Sequence, residues 1–189
     1  EKKFEISCNE DFVTTLLYQK TNGGTVFVSS DTHSAPSLGT TSEQINAKCL
    51  KTGSACDYEG TLWASLALQN AGEDVSSFIP YLIALSEDNQ KYFPSSFIYL
   101  LRNSRDADDQ YGEILQLQKQ NKYWEMIGTP YGRYYDTSLA MLALEGTFTN
   151  EMVNAQNYLL SIQEENGCWN SKNIRDTAFI LYSGWPKTG

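Results

Sequence analysis

SIQEENGCWN (161–170) and LQKQNKYWE (117–125) carry the same message twice. Aligned without gaps, QEENGCW (163–169) and QKQNKYW (118–124) share Gln, Asn and Trp at the same offsets. Two weaker copies fit the frame: QKTNGGT (19–25) keeps Gln19 and Asn-Gly but lacks the Trp, and SEDNQKY (86–92) keeps Asn and puts Tyr in the Trp position. Self-similarity of this kind is the mark of stacked supersecondary units.

A second signature follows each copy. DTSLAMLAL (136–144) and DTAFILY (176–182) both open on Asp-Thr, TLWASLAL (61–68) matches from its Thr onward, and SSFIYLL (95–101) is fainter. Starts at 61, 95, 137 and 177 recur at 34 to 42 residues, a period suited to a helical hairpin with a variable loop. The side chains of Asp136 or Thr137, and of Asp176 or Thr177, can cap a helix start, and the apolar residues that follow are dense enough to be buried. Between them lie amphipathic helices, as in Met152, Ala155, Leu159 and Ile162 at helical spacing. SSFIPYLIAL (76–85) reads as another start, with Ser77 as cap and Pro80 in the first turn, and DDQYGEILQLQ (108–118) sets its aspartates at the positive end of a helix dipole.

The expected fold is all-α, with residues 1–189 a single α/α-repeat domain. Strand signals are few: TVFV (25–28) is the one β-like run. Residues 29–41, SSDTHSAPSLGTT, read as a Ser/Thr-rich surface loop insertion in which His33 is solvated. After it, Thr40 and Glu43 have capping-box spacing, with Ile45 and Cys49 on one face of a short helix that stops at Gly53.

The chain of 189 residues, 41% hydrophobic, has enough apolar surface for a core. Its longest apolar runs, such as FIYLL and AFILY, fall far short of the roughly 20 residues that cross a bilayer, so no membrane insertion is expected. A net charge of -9 repels phosphate backbones and anionic lipid, so nucleic acid is not an expected partner. The chain opens on EKKFEIS without an apolar stretch, so no signal peptide is read there, and no Asn-x-Ser/Thr sequon occurs.

Cys8, Cys49, Cys56 and Cys168 form no CxxC pair. On one helix Cys49 and Cys56 would stand roughly 10 Å apart, too far to bridge. If the chain folds back at Gly53 the bridge closes, worth about 2.5 kcal/mol by loop entropy. Otherwise both are ordinary buried thiols. By arithmetic alone, Cys8 and Cys168 are left to pair with each other.

The pattern Gln-x-x-Asn-Gly-x-Trp followed by a buried helix opening on Asp-Thr-Ala resembles the repeat of the terpenoid cyclase and protein prenyltransferase β-subunit superfamily, over residues 16–25 and 57–185. The resemblance implies an α/α toroid, with inner helices ringed by outer ones, here a ring or arc of about four to five hairpins. It also implies a structural role for Gln19, Gln118, Trp124, Gln163 and Trp169: each Gln bonds backbone of the neighbouring hairpin and each Trp covers it.

The family's chemistry matches less well. Its zinc site needs Asp-x-Cys and a later His; no such Asp precedes a cysteine here, so neither metal nor cofactor is expected. The acid motif Asp-x-Asp-Asp of its cyclases has a match in DADD (Asp106, Asp108, Asp109), but that leads into an outer helix, where a solvated capping cluster is the competing reading. Trp63, Phe97, Tyr134, Tyr135 and Phe179 stand on or beside inner helices and either line a cavity or fill the core.

Two functions follow as expectations. One is a non-enzymatic extracellular or cell-surface module, for ligand binding or for assembly with itself or with other domains of a larger surface protein. The other is a small terpene-cyclase-like or carbohydrate-active toroid enzyme using aspartate acid catalysis.

Overall fold

The computed structural model describes residues 2–102 and 107–185. They form a mixed structure: helices from Tyr58 onward, and before it four two-stranded antiparallel sheets. The chain divides into two compact units, residues 1–88 and 89–189.

The first unit opens with strands β1 (Lys3–Ser7), β2 (Phe12–Thr14), β3 (Leu17–Tyr18), β4 (Phe27–Val28), β5 (His33–Ala35) and β6 (Thr40–Gln44), paired β1 with β6, β2 with β5 and β3 with β4. These nested pairs amount to one long interrupted hairpin. Lys3↔Gln44 and Phe12↔Ala35 belong to a single register, and Leu17↔Val28 is offset from it by two residues.

This corrects the all-α expectation. TVFV does contain a strand, but it has company, and the supposed Ser/Thr loop 29–41 contains β5 and the start of β6. The physical reason lies in β6. Thr41 and Glu43 alternate as buried residues at period two, so Glu43 belongs to a strand face and not to a capping box with Thr40, and β1 supplies the distant partner that lets the strand pattern win.

The short helix expected before Gly53 is likewise absent. Instead β7 (Lys51–Thr52) and β8 (Ala55–Cys56) make a tight hairpin in which Gly53 takes φ 66°, and Cys49 is disulfide-bonded to Cys56 with their Cα atoms 5.6 Å apart. Cys8 and Cys168 are free thiols, so the second bridge expected by arithmetic is not formed. Gln19 is exposed just past β3, with no outer helix before it, so QKTNGGT is a hairpin turn and not a helical repeat.

Helix α1 (Tyr58–Asn70) starts at Asp57, whose carboxylate accepts the Gly60 N–H at 2.9 Å. It packs with α2 (Ile79–Ala84), and the Tyr58 hydroxyl donates to Leu82 O at 2.7 Å. Pro80 does sit in the first turn of α2, although Phe78, not Ser77, is the preceding cap residue.

In the second unit, α3 (Pro94–Leu101), α5 (Arg133–Ala143) and α7 (Ile174–Gly184) pack in succession, α4 (Asp108–Gln116) lies against α3, and α6 (Asn150–Ser161) lies against α5. α3 and α5 are largely buried and α4 and α6 much less so, as the periodicity predicts, but α7 keeps much of its surface exposed. α6 buries Met152, Ala155 and Leu159 on one side, and Thr149 caps it by accepting the Met152 N–H at 3.2 Å. In the SEDNQKY copy the fully buried aromatic is Phe93, one residue beyond the expected Tyr92.

Candidate functional site

The two strong repeat copies build one structural unit twice. Trp124 is fully buried; its indole Nε1 donates to Ile114 O on α4 at 2.7 Å. Its backbone N–H donates to Thr137 Oγ1 on α5 at 3.0 Å, and that hydroxyl lies 3.2 Å from Trp124 O. Trp169 repeats this with Leu159 O on α6 at 2.8 Å and Thr177 Oγ1 on α7 at 3.1 Å. Each tryptophan thus ties an outer helix to the next inner helix, satisfying carbonyl and amide groups that burial would otherwise strand.

One bond of this unit recurs without its outer helix. In the first unit the Leu50 N–H donates to Thr61 Oγ1 at 3.0 Å, so Leu50 stands where the others have Trp, directly after Cys49 as Trp169 follows Cys168. The shared Cys before this position was the available signal. Leucine in place of tryptophan hid it.

The glutamines diverge. Gln118 Nε2 donates to Glu151 O of the following outer helix at 2.7 Å, as expected. Gln163 Nε2 instead reaches Gly167 O of its own turn at 2.9 Å and stays near solvent. The turns also differ: Gly167 takes φ 80° in one copy, while Gln120 and Asn121, at φ 54° and 53°, do so without glycine in the other.

Asp136 and Asp176 are almost wholly buried, but neither caps its own helix. α5 begins at Arg133 after Gly132, and α7 at Ile174 after Asn173, whose side chain accepts the Asp176 N–H. Since the helices start before the Asp-Thr pair, the carboxylates point back to the preceding loop. Asp136 accepts the Met126 N–H at 2.8 Å and the Thr129 hydroxyl at 3.1 Å. Asp176 accepts Asn170 Nδ2 at 2.6 Å and Arg175 Nε at 2.8 Å. Burial is the main influence on Asp136 and raises its pKa from 3.8 to about 6, against the opposing effect of those two donors.

Of the aromatic side chains expected to line a cavity, Phe97 and Tyr135 are buried in the core, and Trp63, Tyr134 and Phe179 are half-buried. Tyr135 meets Phe179 edge-on at 5.3 Å and Tyr131 at 4.4 Å, and the Arg175 guanidinium lies over Tyr131 and Tyr135 at 5.2 and 5.5 Å. Tyr134 joins a different group, where Arg133 lies over Tyr134 and Tyr123 at 5.3 and 5.7 Å and Tyr123 meets Tyr158 at 5.3 Å. Both arginines precede Asp-Thr closely in sequence, and that was the only hint of their roles.

Asp108 and Asp109 are exposed in the first turn of α4, and Asp106 lies outside the described residues. His33 is not a loop residue: on β5 its Nδ1 lies 2.8 Å from Oε2 of the buried Glu43. Among the described residues no group of three His, Cys, Asp or Glu could hold a metal ion, and no helix is long and apolar enough to cross a membrane. Comparison with known protein families, curated proteins and solved structures finds no match.

Proposed function

We propose that this chain is a non-enzymatic extracellular or cell-surface module built on a prenyltransferase-like α/α-toroid repeat, acting in ligand binding or in assembly of a surface structure. The observation that carries the reading is the engagement of the two inner-helix carboxylates. In Asp136 and Asp176 both oxygens accept hydrogen bonds, from the preceding loop in Asp136 and from the loop residue Asn170 and the neighbouring Arg175 of α7 in Asp176, which makes them clamps between helix and turn. The Cys49–Cys56 disulfide supports an oxidising compartment.

The alternative, a small terpene-cyclase-like or carbohydrate-active enzyme, has one observation in its favour: Asp136 keeps its proton to about pH 6, as a general acid would. The test is incubation with a polyprenyl diphosphate, an acyclic triterpene and a panel of oligosaccharides, with products followed by mass spectrometry. No turnover is expected. Turnover that disappears in Asp136→Asn, or in a combined Asp106→Asn, Asp108→Asn and Asp109→Asn variant melting like the parent, would put the enzyme in its place. The compartment is checked separately by counting thiols in protein taken from its natural source, where Cys49 and Cys56 should be unreactive until reduced.

A further inference from the structure

The weak repeat copy QKTNGGT and the strong copy QEENGCW hold the two Asn-Gly pairs of the chain, Asn22-Gly23 and Asn166-Gly167. Turn closure is alike in both. Gly23 and Gly167 take φ 88° and 80°, and their N–H groups donate to Lys20 O at 3.0 Å and to Glu164 O at 2.8 Å. The asparagine side chains differ. Asn166 is held at both ends of its carboxamide, where Oδ1 accepts the Cys168 N–H at 2.9 Å and Nδ2 lies 3.4 Å from Glu164 Oε2. Asn22 is exposed, and among the described residues its carboxamide makes no hydrogen bond.

An asparagine followed by glycine carries its own reaction. The glycine nitrogen attacks the asparagine Cγ, the bond from Cγ to Nδ2 breaks, and ammonia leaves with the proton that the glycine nitrogen gives up. The cyclic imide then takes up one water, opening to aspartate or, with the chain rerouted through the side chain, to isoaspartate. Water is the sole co-reactant. Both reacting groups already sit in one residue pair, so the rate depends on how freely the carboxamide can swing onto the nitrogen. Glycine leaves that approach open, and the space beside Gly23 is empty. A carboxamide tied at both ends must first break its bonds, whereas a free one need not.

We infer that Asn22 is a self-modification site, converting by this route to aspartate and isoaspartate while Asn166 is protected, and that the conversion loosens the tip of the β3–β4 hairpin. The tip is clamped on both sides of its turn by residues of the same compact unit. Lys20 Nζ lies 3.0 Å from each carboxylate oxygen of Asp88, and Thr25 Oγ1 donates to Glu87 Oε1 at 2.7 Å. Conversion places a carboxylate at position 22, between Lys20 and Thr25 in sequence, where Glu87 and Asp88 already bring two negative charges to one cation. Isoaspartate also lengthens the backbone inside the turn that the Gly23 N–H closes. Both changes act against the clamp. The conversion needs neither the ligand nor the assembly proposed above.

The experiment is peptide mapping by mass spectrometry of the full chain incubated in mildly alkaline buffer, folded and in urea, with isoaspartate identified by its fragmentation. In the folded protein position 22 should convert at least about tenfold faster than position 166, a ratio worth about 1.4 kcal/mol of barrier, within reach of one or two side-chain hydrogen bonds. In urea the two rates should become alike. The converted protein, separated by anion exchange, should exchange its β3 and β4 amide hydrogens several-fold faster than the parent, with those of β1 and β6 unchanged. Asn22→Gln should not convert and should exchange like the parent. Equal rates at the two positions in the folded chain, faster conversion at Asn166, or no conversion at Asn22 would overturn the site. A difference that persists in urea would assign it to the neighbouring residues and overturn the protection by structure. Unaltered exchange in β3 and β4 after conversion would overturn the loosening.

Discussion

Asp136 and Asp176 occupy the same place in two copies of one structural unit, yet their charge is handled by opposite means. Asp136 stands twelve residues after Trp124, and the longer loop offers it only neutral donors, the Met126 N–H and the Thr129 hydroxyl. Asp176 stands seven residues after Trp169, and after that shorter loop the adjacent Arg175, in the first turn of α7, supplies a cation 2.7 Å away. Burial among neutral partners raises the Asp136 pKa, whereas the Asp176 carboxylate is ion-paired with a guanidinium. The conserved part of the unit is therefore the Trp-to-Thr link, and the aspartate is solved afresh in each loop.

The largest expected effects test that common part. Trp124→Ala and Trp169→Ala should each cost about 3–5 kcal/mol by urea denaturation, the range for emptying a buried aromatic site. Phe at either position keeps most of the bulk and loses the indole bond to the outer-helix carbonyl, for about 1 kcal/mol. If Trp→Phe cost as much as Trp→Ala, the link would be the hydrogen bond and not the packing.

The next effect is the pH dependence that Asp136 confers. Unfolded, the Asp136 carboxyl ionises near 3.8; folded, it keeps its proton to about 6. The folded state binds the extra proton between those values, so this contribution to stability is complete below pH ~4 and is lost as pH rises through about 6. Two pKa units correspond to at most about 3 kcal/mol. Asp136→Asn can accept the Met126 N–H and donate to Thr129, so it should fold and should lack this fall in stability between pH ~4 and ~6. An unaltered pH profile in Asp136→Asn would show that the proton is held elsewhere.

Arg175→Gln tests the other solution. It leaves Asp176 buried with Asn170 as its remaining side-chain donor. Breaking a fully buried pair costs about 3–5 kcal/mol, and because Arg175 is half exposed the expected loss is nearer 2 kcal/mol. The pairing of Asp176→Asn with Arg175→Gln should recover part of that loss, and a double mutant no better than the single would sever the link between the two residues.

How much of this was legible depended on how far apart the partners lie. Both ends of the Trp124–Thr137 and Trp169–Thr177 links were marked as repeated residues in the sequence, but the bond that joins them was not read there. The Leu50–Thr61 link was hidden by one apolar exchange and by the disulfide hairpin inside its loop. The N-terminal strands were missed for a different reason. Segments such as TTSEQ and HSA are polar and short, and only pairing with partners 19 or more residues away makes them strands. For the aspartates, the place near the start of an inner helix could be read, but their burial and the direction of each carboxylate depended on where that helix begins.

The smallest effect discriminates most finely between the two copies. Gln118→Ala removes a part-buried bond to the Glu151 carbonyl of the next outer helix, so it should cost about 1 kcal/mol. Gln163→Ala removes an exposed bond within one turn and should change the unfolding free energy by less than about 0.5 kcal/mol. The inequality holds only while Gln163 has no outer helix to reach. Equal losses from the two substitutions would show that Gln163 makes a bond beyond its own turn.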